Sequence, residues 1–272
     1  MNAAEQYNAM VKARQDQQAR LATPFGEWYW ERFAHTYRFN PYREPEPQLA
    51  ETLRYIEPGD DIIEIGGGAG RIGLPLALRA RSLRNIEPSA AMRKQFALSV
   101  EEHSIANADA IASAWPTADQ IAADVALTVD VTYFINDIEP FLRAMHESAS
   151  RRVIILTWTV APPNVNAELF QVGFGEPEAP SPGFQELLPV IWDMGIVPDV
   201  QVVDQPFTWP ERLPTTEDEA VKFAVSELAA FGQPDAEENI RRSVGTLFKR
   251  SDIYQPVWRT PSDGMVITWN RS

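Results

Sequence analysis

Short apolar runs bounded by Gly, Pro, Asp and Asn recur through the middle of the chain: Asp61-Ile62-Ile63-Glu64-Ile65, then residues 82–86, 108–112, 124–129 and 152–158. Runs of this length, rich in Ile, Val and Leu, predict buried β-strands. Between them apolar positions fall at helical spacing, over residues 71–78, 90–100 behind a Ser89 cap, and 139–148. Strands alternating with helices predict a parallel sheet covered on both faces. Ahead of this unit, residues 4–21 carry a thin helical stripe (Tyr7, Met10, Val11, Leu21), read as a peripheral helix. Residues 25–39 hold seven aromatics in fifteen positions, and a further helix covers 48–55. After Pro162-Pro163 the pattern loosens, with a Pro/Gly loop at 173–183. A helix at 184–194 and a strand at 197–203 then precede two polar helices, 216–231 behind a Thr216 cap and 235–249 after Pro234. Segments 253–259 and 265–270 flank the turn Pro261-Ser262-Asp263-Gly264, and the last of them, MVITWN, must return to the sheet.

Composition narrows the function classes. The chain has 272 residues, 44% of them hydrophobic, enough for one large core or two smaller ones. A net charge of −14 makes a polyanion an unfavourable partner, so nucleic acid is not expected. With no cysteine, thiolate metal sites and cysteine nucleophiles are excluded, and the three histidines His35, His103 and His146 form no local metal motif. The first twenty residues lack an apolar targeting core and no long apolar run occurs, which reads as a cytoplasmic protein without membrane association.

The first strand runs into Gly66-Gly67-Gly68-Ala69-Gly70 and then a helix. Glycines there let the backbone approach a ligand closely, which suits a nucleotide-like molecule. Glu87 ends the second strand 17 residues past Gly70, where a carboxylate can accept hydrogen bonds from both ribose hydroxyls. The segment Gly68-Ala69-Gly70-Arg71-Ile72-Gly73 also satisfies the dinucleotide pattern G-x-G-x-x-G, so these residues alone leave two cofactor classes open.

Read from Glu64, however, the segment is an acid followed by glycines at Gly66, Gly68 and Gly70, and it resembles the first motif of class I S-adenosylmethionine-dependent methyltransferases. The segment from Asn85 through Glu87-Pro88-Ser89 to Met92 resembles the second-strand motif of the same family. The resemblance implies an α/β fold, a three-layer seven-stranded mostly parallel Rossmann-like sheet whose antiparallel last strand is MVITWN. N-terminal helices and a helical insertion between strands six and seven would complete it. Domains follow as a lid at 1–47, a cofactor-binding body at 48–206 and 259–272, and a cap at 207–258. The implied cofactor is S-adenosyl-L-methionine. Glu64 would help to order its methionine end, an acid that a pyrophosphate would avoid, while Gly66, Gly67, Gly68 and Gly70 form the loop. Glu87 with Pro88 would hold the ribose, Met92 the adenine face, Ala114 and Trp115 the adenine edge, and Val129 and Asp130 the methionyl group, with Tyr37 reaching in from the entry helix. Ala114 stands where relatives place an acid for the adenine amino group, so backbone groups or Asp109 must substitute.

The methyl acceptor is read as a small molecule presenting O, N or C. The sequence Asp130-Val131-Thr132-Tyr133 replaces the Asn/Asp-Pro-Pro-aromatic motif of nucleic-acid amine methyltransferases, and Thr157-Trp158 offers no carboxylate for a catechol-type metal, so no metal is expected. Catalytic residues are unassigned, with His35, Asp130 and Tyr133 as candidate general bases. Two alternatives stand beside this reading. One is an NAD(P)-binding Rossmann protein; the other is a non-catalytic cofactor-binding or interaction module using Trp28 and Trp30. Oligomeric state is open, a homodimer included.

Overall fold

Strand β1 (Asp61–Ile65) turns Ile62 and Glu64 to one face of the sheet and Ile63 and Ile65 to the other, and all four side chains are buried. An apolar run with no solvent face is what a central parallel strand requires. The computed structural model of the chain describes residues 1–21, 27–119, 121–205, 213–228 and 234–271. Around β1 the other strands are β2 (Ser82–Ile86), β3 (Ala108–Ile111), β4 (Ala123–Val129), β5 (Ala149–Trp158) and β6 (Asp199–Val203), and after a separate hairpin of β7 (Phe248–Arg250) and β8 (Tyr254–Pro256) comes β9 (Gly264–Asn270). The main sheet has seven strands in the order β3-β2-β1-β4-β5-β9-β6. Pairs from β3 to β5 are parallel, whereas β9 lies antiparallel between β5 and β6, with Ile155 opposite Ile267. This is the three-layer Rossmann-like sheet expected from the sequence, its last strand reversed.

Helices cover both faces. One face packs on α3 (Pro47–Leu53), α4 (Gly73–Ala77) and α5 (Ala90–Glu102), through Leu49, Leu74, Leu76 and Phe96. The other packs on α1 (Ala3–Leu21), α6 (Ile138–Ser148) and α8 (Phe184–Asp193), through Tyr7, Val11, Phe141, Leu142, Leu187 and Ile191. The thin stripe of α1 is therefore more deeply used than a peripheral helix would be: Tyr7 is fully buried and donates its hydroxyl to the Thr132 carbonyl oxygen at 2.8 Å. Helix α2 (Glu27–Phe33) and the 3-10 turn Ala34–Tyr37 lie against α5.

A third core, separate from the sheet, joins α7 (Ala167–Phe174), α9 (Glu217–Glu227), α10 (Pro234–Arg242) and α11 (Val244–Leu247) to the β7–β8 hairpin. Thr216 caps α9 as expected, accepting from the Glu219 amide while the Glu219 carboxylate accepts from that of Thr216. Two readings of the sequence are corrected here. The 71–78 helix narrows to α4, because Gly70 at φ +88° cannot belong to a right-handed helix and the chain is still turning through Arg71 and Ile72. The 235–249 helix breaks at Ser243, resumes as α11 and ends at Leu247, and Phe248 becomes the strand residue whose ring meets Trp258 at 4.9 Å and Tyr254 at 6.0 Å. Within segment 253–259, Tyr254–Pro256 pairs with β7 as a separate hairpin. The insertion is thus helical with a small hairpin. Residues 22–26 of the predicted lid, and 207–212 and 229–233 of the predicted cap, including the end of its 216–231 helix, fall outside the described residues.

Candidate functional site

The glycine loop follows β1 at the carboxyl end of the sheet, where ligands of open α/β folds bind. Gly66, Gly68 and Gly70 have φ of +69°, +55° and +88°, and their surroundings also exclude a side chain at two of them. A Cβ at Gly66 would stand 2.5 Å from Val131 Cγ2, and one at Gly70 2.7 Å from Leu74 Cγ and 2.9 Å from Phe96 Cδ2. Gly70→Ala should therefore cost about 2 kcal/mol, part left-handed strain and part displacement of two buried side chains. Urea unfolding checks this, and a midpoint equal to that of the parent would contradict the packing described.

Strand β2 holds the loop in shape. Asn85, directly across from Glu64 in the β1–β2 register, accepts from the Gly67 amide at 3.1 Å and donates to the Gly68 carbonyl oxygen at 3.0 Å. Two residues on, Glu87 accepts from the Gly68 amide at 3.0 Å through Oε2 and from the Ser89 amide at 2.7 Å through Oε1. Burial raises the Glu87 pKa, while these two amides and Arg93 pull it down and Glu27 pushes it up. Each Glu87 oxygen accepts one of these backbone bonds and retains further acceptor capacity. Asn85 opens the segment that resembles the second-strand motif, but the resemblance assigns it no role; the available signal was a polar residue on the buried face of a strand, two positions before Glu87.

Glu64 lies beneath the loop rather than facing the mouth. It is 1% exposed, and its Oε2 sits so close to Gly67 and Gly73 that a Cβ on either would meet it at 2.3 Å and 2.0 Å. That oxygen has no hydrogen-bond partner. Burial drives its pKa up to about 8, against the opposing pull of Arg71 and the Gly73 amide. Glu64, expected at the methionine end, is thus sealed beneath the loop, in surroundings that favour its uncharged form.

At the end of β4, Asp130 takes up φ +56°, a left-handed conformation uncommon outside glycine, with its amide bonded to the Leu156 carbonyl oxygen. Arg71 reaches it from the glycine loop at 3.2 Å and pairs also with Glu46 at 3.3 Å. Tyr133 donates to Asp130 Oδ1 at 3.3 Å and lies 2.7 Å from Thr157 Oγ1. Burial raises the Asp130 pKa, opposed first by Arg71. Tyr133 itself is 2% exposed and burial holds its phenol well above the ordinary value.

The entry segment covers the same end. Glu27 of α2 accepts from Ser89 Oγ and the Ala91 amide, both at 3.0 Å, and Trp30, Tyr37 and Ala34 pack on Ala69 and Met92. Tyr37 is part-buried, and burial raises its pKa, with Arg71 and Asp130 near enough to act on it. Of the remaining sequence candidates, Val129 ends β4 beside Leu156, and Met92 lies under the loop near Gly68. Pro88, Ala114 and His35 are exposed. Trp115 turns toward α6, its indole donating to the Phe141 carbonyl oxygen at 3.2 Å. Asp109 faces Arg84 at 3.6 Å on the exposed edge of the sheet. Among the described residues no group of three or more His, Asp and Glu side chains is arranged to hold a metal, and no helix is long and apolar enough to cross a membrane.

The chain matches no protein-family model and no curated protein. It is similar in fold to solved structures. One is the YcgJ protein of Bacillus subtilis, at 12% identity and a TM-score of 0.54, covering 81% of this chain and 97% of that one. Another is magnesium protoporphyrin IX methyltransferase of Synechocystis PCC 6803 with bound SAH, at 12% identity and a TM-score of 0.54, covering 90% of this chain and 97% of that one. The same enzyme with bound SAM aligns at 10% identity and a TM-score of 0.50, over 92% and 99% of the respective chains. At such identities the likeness establishes a shared fold.

Proposed function

We propose that the chain is an S-adenosylmethionine-dependent methyltransferase acting on a small molecule. The observation that carries this reading is the Glu87 carboxylate, bonded to the Gly68 amide within a loop of three positive-φ glycines and still able to accept from two hydroxyls. The residues fit the cofactor. Glu87 would take its ribose, the 66–70 backbone would run alongside its sulfonium, and the Asp130–Val131 turn against Gly66 would face its methionyl end. When bound, the cofactor supplies a methyl group on a sulfonium sulfur, open to in-line displacement.

The protein's own contribution is mainly positioning. Trp30, Tyr37 and Met92 exclude water from the loop, and Asp130, held by Tyr133 and Arg71, is the group available to accept a proton from an acceptor atom. The raised pKa of Asp130 brings its basicity nearer to neutral. His35, exposed on the 3-10 turn, is the less favoured candidate base. Residues 1–47 and 207–258 are proposed to enclose the acceptor, since Leu21 at the end of α1 packs on the cap core, linking the two segments. The negative net charge favours a neutral or cationic small acceptor over a nucleic acid.

The dinucleotide alternative is disfavoured by the helix after the loop. A pyrophosphate needs a helix N-terminus pointing at it, whereas α4 has five residues and begins at Gly73, packed on Glu64. Calorimetric titration tests the choice. S-adenosylhomocysteine should bind and NAD should not, and NAD binding without a response to S-adenosylhomocysteine would reverse it.

A further inference from the structure

Among the described residues, no side chain of α2 or of the 3-10 turn after it belongs to either core flanking the sheet. This segment meets the body through a small cluster of its own, in which Trp30, Ala34 and Tyr37 cover Ala69, Ala91 and Met92. Ala69 belongs to the glycine loop, and Met92 Sδ would stand 3.6 Å from a Cβ on Gly68. They keep only 3% and 5% of their surface exposed. The segment is thus a roof over the part of the loop that Glu87 bonds. A ligand held by Glu87 along Gly68 lies beneath it, and its passage is blocked while Trp30 and Tyr37 rest on Ala69 and Met92.

The roof is fastened to α5 at both ends. At the far end Arg38 pairs with Glu102. At the near end Glu27 Oε1 accepts from Ser89 Oγ and from the Ala91 amide, both at 3.0 Å. These donors stand at the start of α5, where amides lack partners inside the helix and a negative charge is favoured. Ser89 is the hub. Its Oγ also accepts from the Met92 amide at 3.2 Å, and its own amide donates to Glu87 Oε1 at 2.7 Å. Two carboxylates therefore converge on one serine, one closing the roof and the other proposed to hold the ribose. Their like charges oppose each other, and Glu27 is exposed, so water can replace its donors when the roof lifts. A bond exchanged for one to water contributes little net energy, which leaves the closed and open forms close in stability.

We propose that Glu27 is a latch: the roof lifts from the start of α5 to admit and release the cofactor, and the two bonds of Glu27 to Ser89 and Ala91 set how often it does so. The identity of the ligand rests on the methyltransferase reading; the latch itself is a property of the unliganded chain.

Two measurements on the full chain test it, and the first needs no ligand. In hydrogen exchange, Glu27→Ala should speed the amides of residues 29–37 about 5- to 20-fold, the range for losing exposed bonds to a charged group. Amides of β1 and β4 should keep the parent rates. In stopped-flow mixing with S-adenosylhomocysteine, with Trp30 in the roof as a fluorescent reporter, the variant should release the ligand faster by about the same factor and also take it up at least about twofold faster. A side chain that only stabilised α5 would speed release without speeding uptake. Should Glu27→Ala not fold, Glu27→Gln serves, with smaller changes in the same directions. Unchanged exchange in the roof, faster exchange spread through the sheet, or faster release without faster uptake overturns the latch and leaves the methyltransferase reading intact. A parent protein that does not bind S-adenosylhomocysteine overturns that reading and the gating of the cofactor with it.

Discussion

Replacing Glu64 by glutamine should remove a loss of stability that the parent protein undergoes between about pH 5 and pH 8. Burial raises the Glu64 pKa from 4.5 to about 8, so over this interval the unfolded chain gives up a proton that the folded chain retains. Stability from a raised carboxyl is complete below the unfolded value, declines as pH rises, and is exhausted above the folded value. At 1.36 kcal/mol per unit the full shift corresponds to at most about 5 kcal/mol. Glutamine keeps the shape and does not ionise, so urea unfolding of the two proteins at pH 5, 6, 7 and 8 should give curves that diverge, the parent falling relative to the variant by about 3–5 kcal/mol. Parallel profiles would mean that Glu64 Oε2 finds compensation absent from the surroundings described, where it is unpartnered between Gly67 and Gly73.

The second large effect is expected at Glu87. Glu87→Ala removes the acceptor for both proposed ribose hydroxyls, and the loss should be about 3 kcal/mol, or roughly a hundredfold in affinity. S-adenosylhomocysteine and methylthioadenosine share the ribose, so both should weaken alike. The loop itself should persist, because Asn85 still holds the Gly67 amide and the Gly68 carbonyl oxygen. Calorimetry with both ligands, beside a urea titration, checks the two halves. Unchanged affinity would mean that the second-strand carboxylate has been given the wrong role.

The parts of this site legible in the sequence are those whose signals are local. A glycine run after a short apolar strand, a serine at a helix start and an acid closing the next strand each need only their own neighbourhood to be interpreted, and Gly66–Gly70, Ser89 and Glu87 lie on the predicted elements. The sheet order needed one further clue, the reversed MVITWN, which came from resemblance to a family rather than from the run itself. What could not be read depends on partners far along the chain. Helix α1 offered only Tyr7 and Val11 as deep anchors, and Tyr7 is secured by a carbonyl 125 residues away. Residues 248–250 continue a helical pattern, yet contacts of Phe248 with Tyr254 and Trp258 draw them into a hairpin. The burial of Glu64 escaped for a related reason: a motif names the acid but does not report the surroundings that set its ionisation.

The central claim is that the glycine loop and Glu87 together receive S-adenosylmethionine. A crystal structure with S-adenosylhomocysteine tests it most directly. The ligand should lie along Gly66–Gly70, with both ribose hydroxyls within hydrogen-bonding distance of the Glu87 carboxylate and the amino-acid end beside Asp130. A ligand seated elsewhere, or a Glu87 carboxylate still bonded to Gly68 and Ser89 with no ribose against it, would contradict the account.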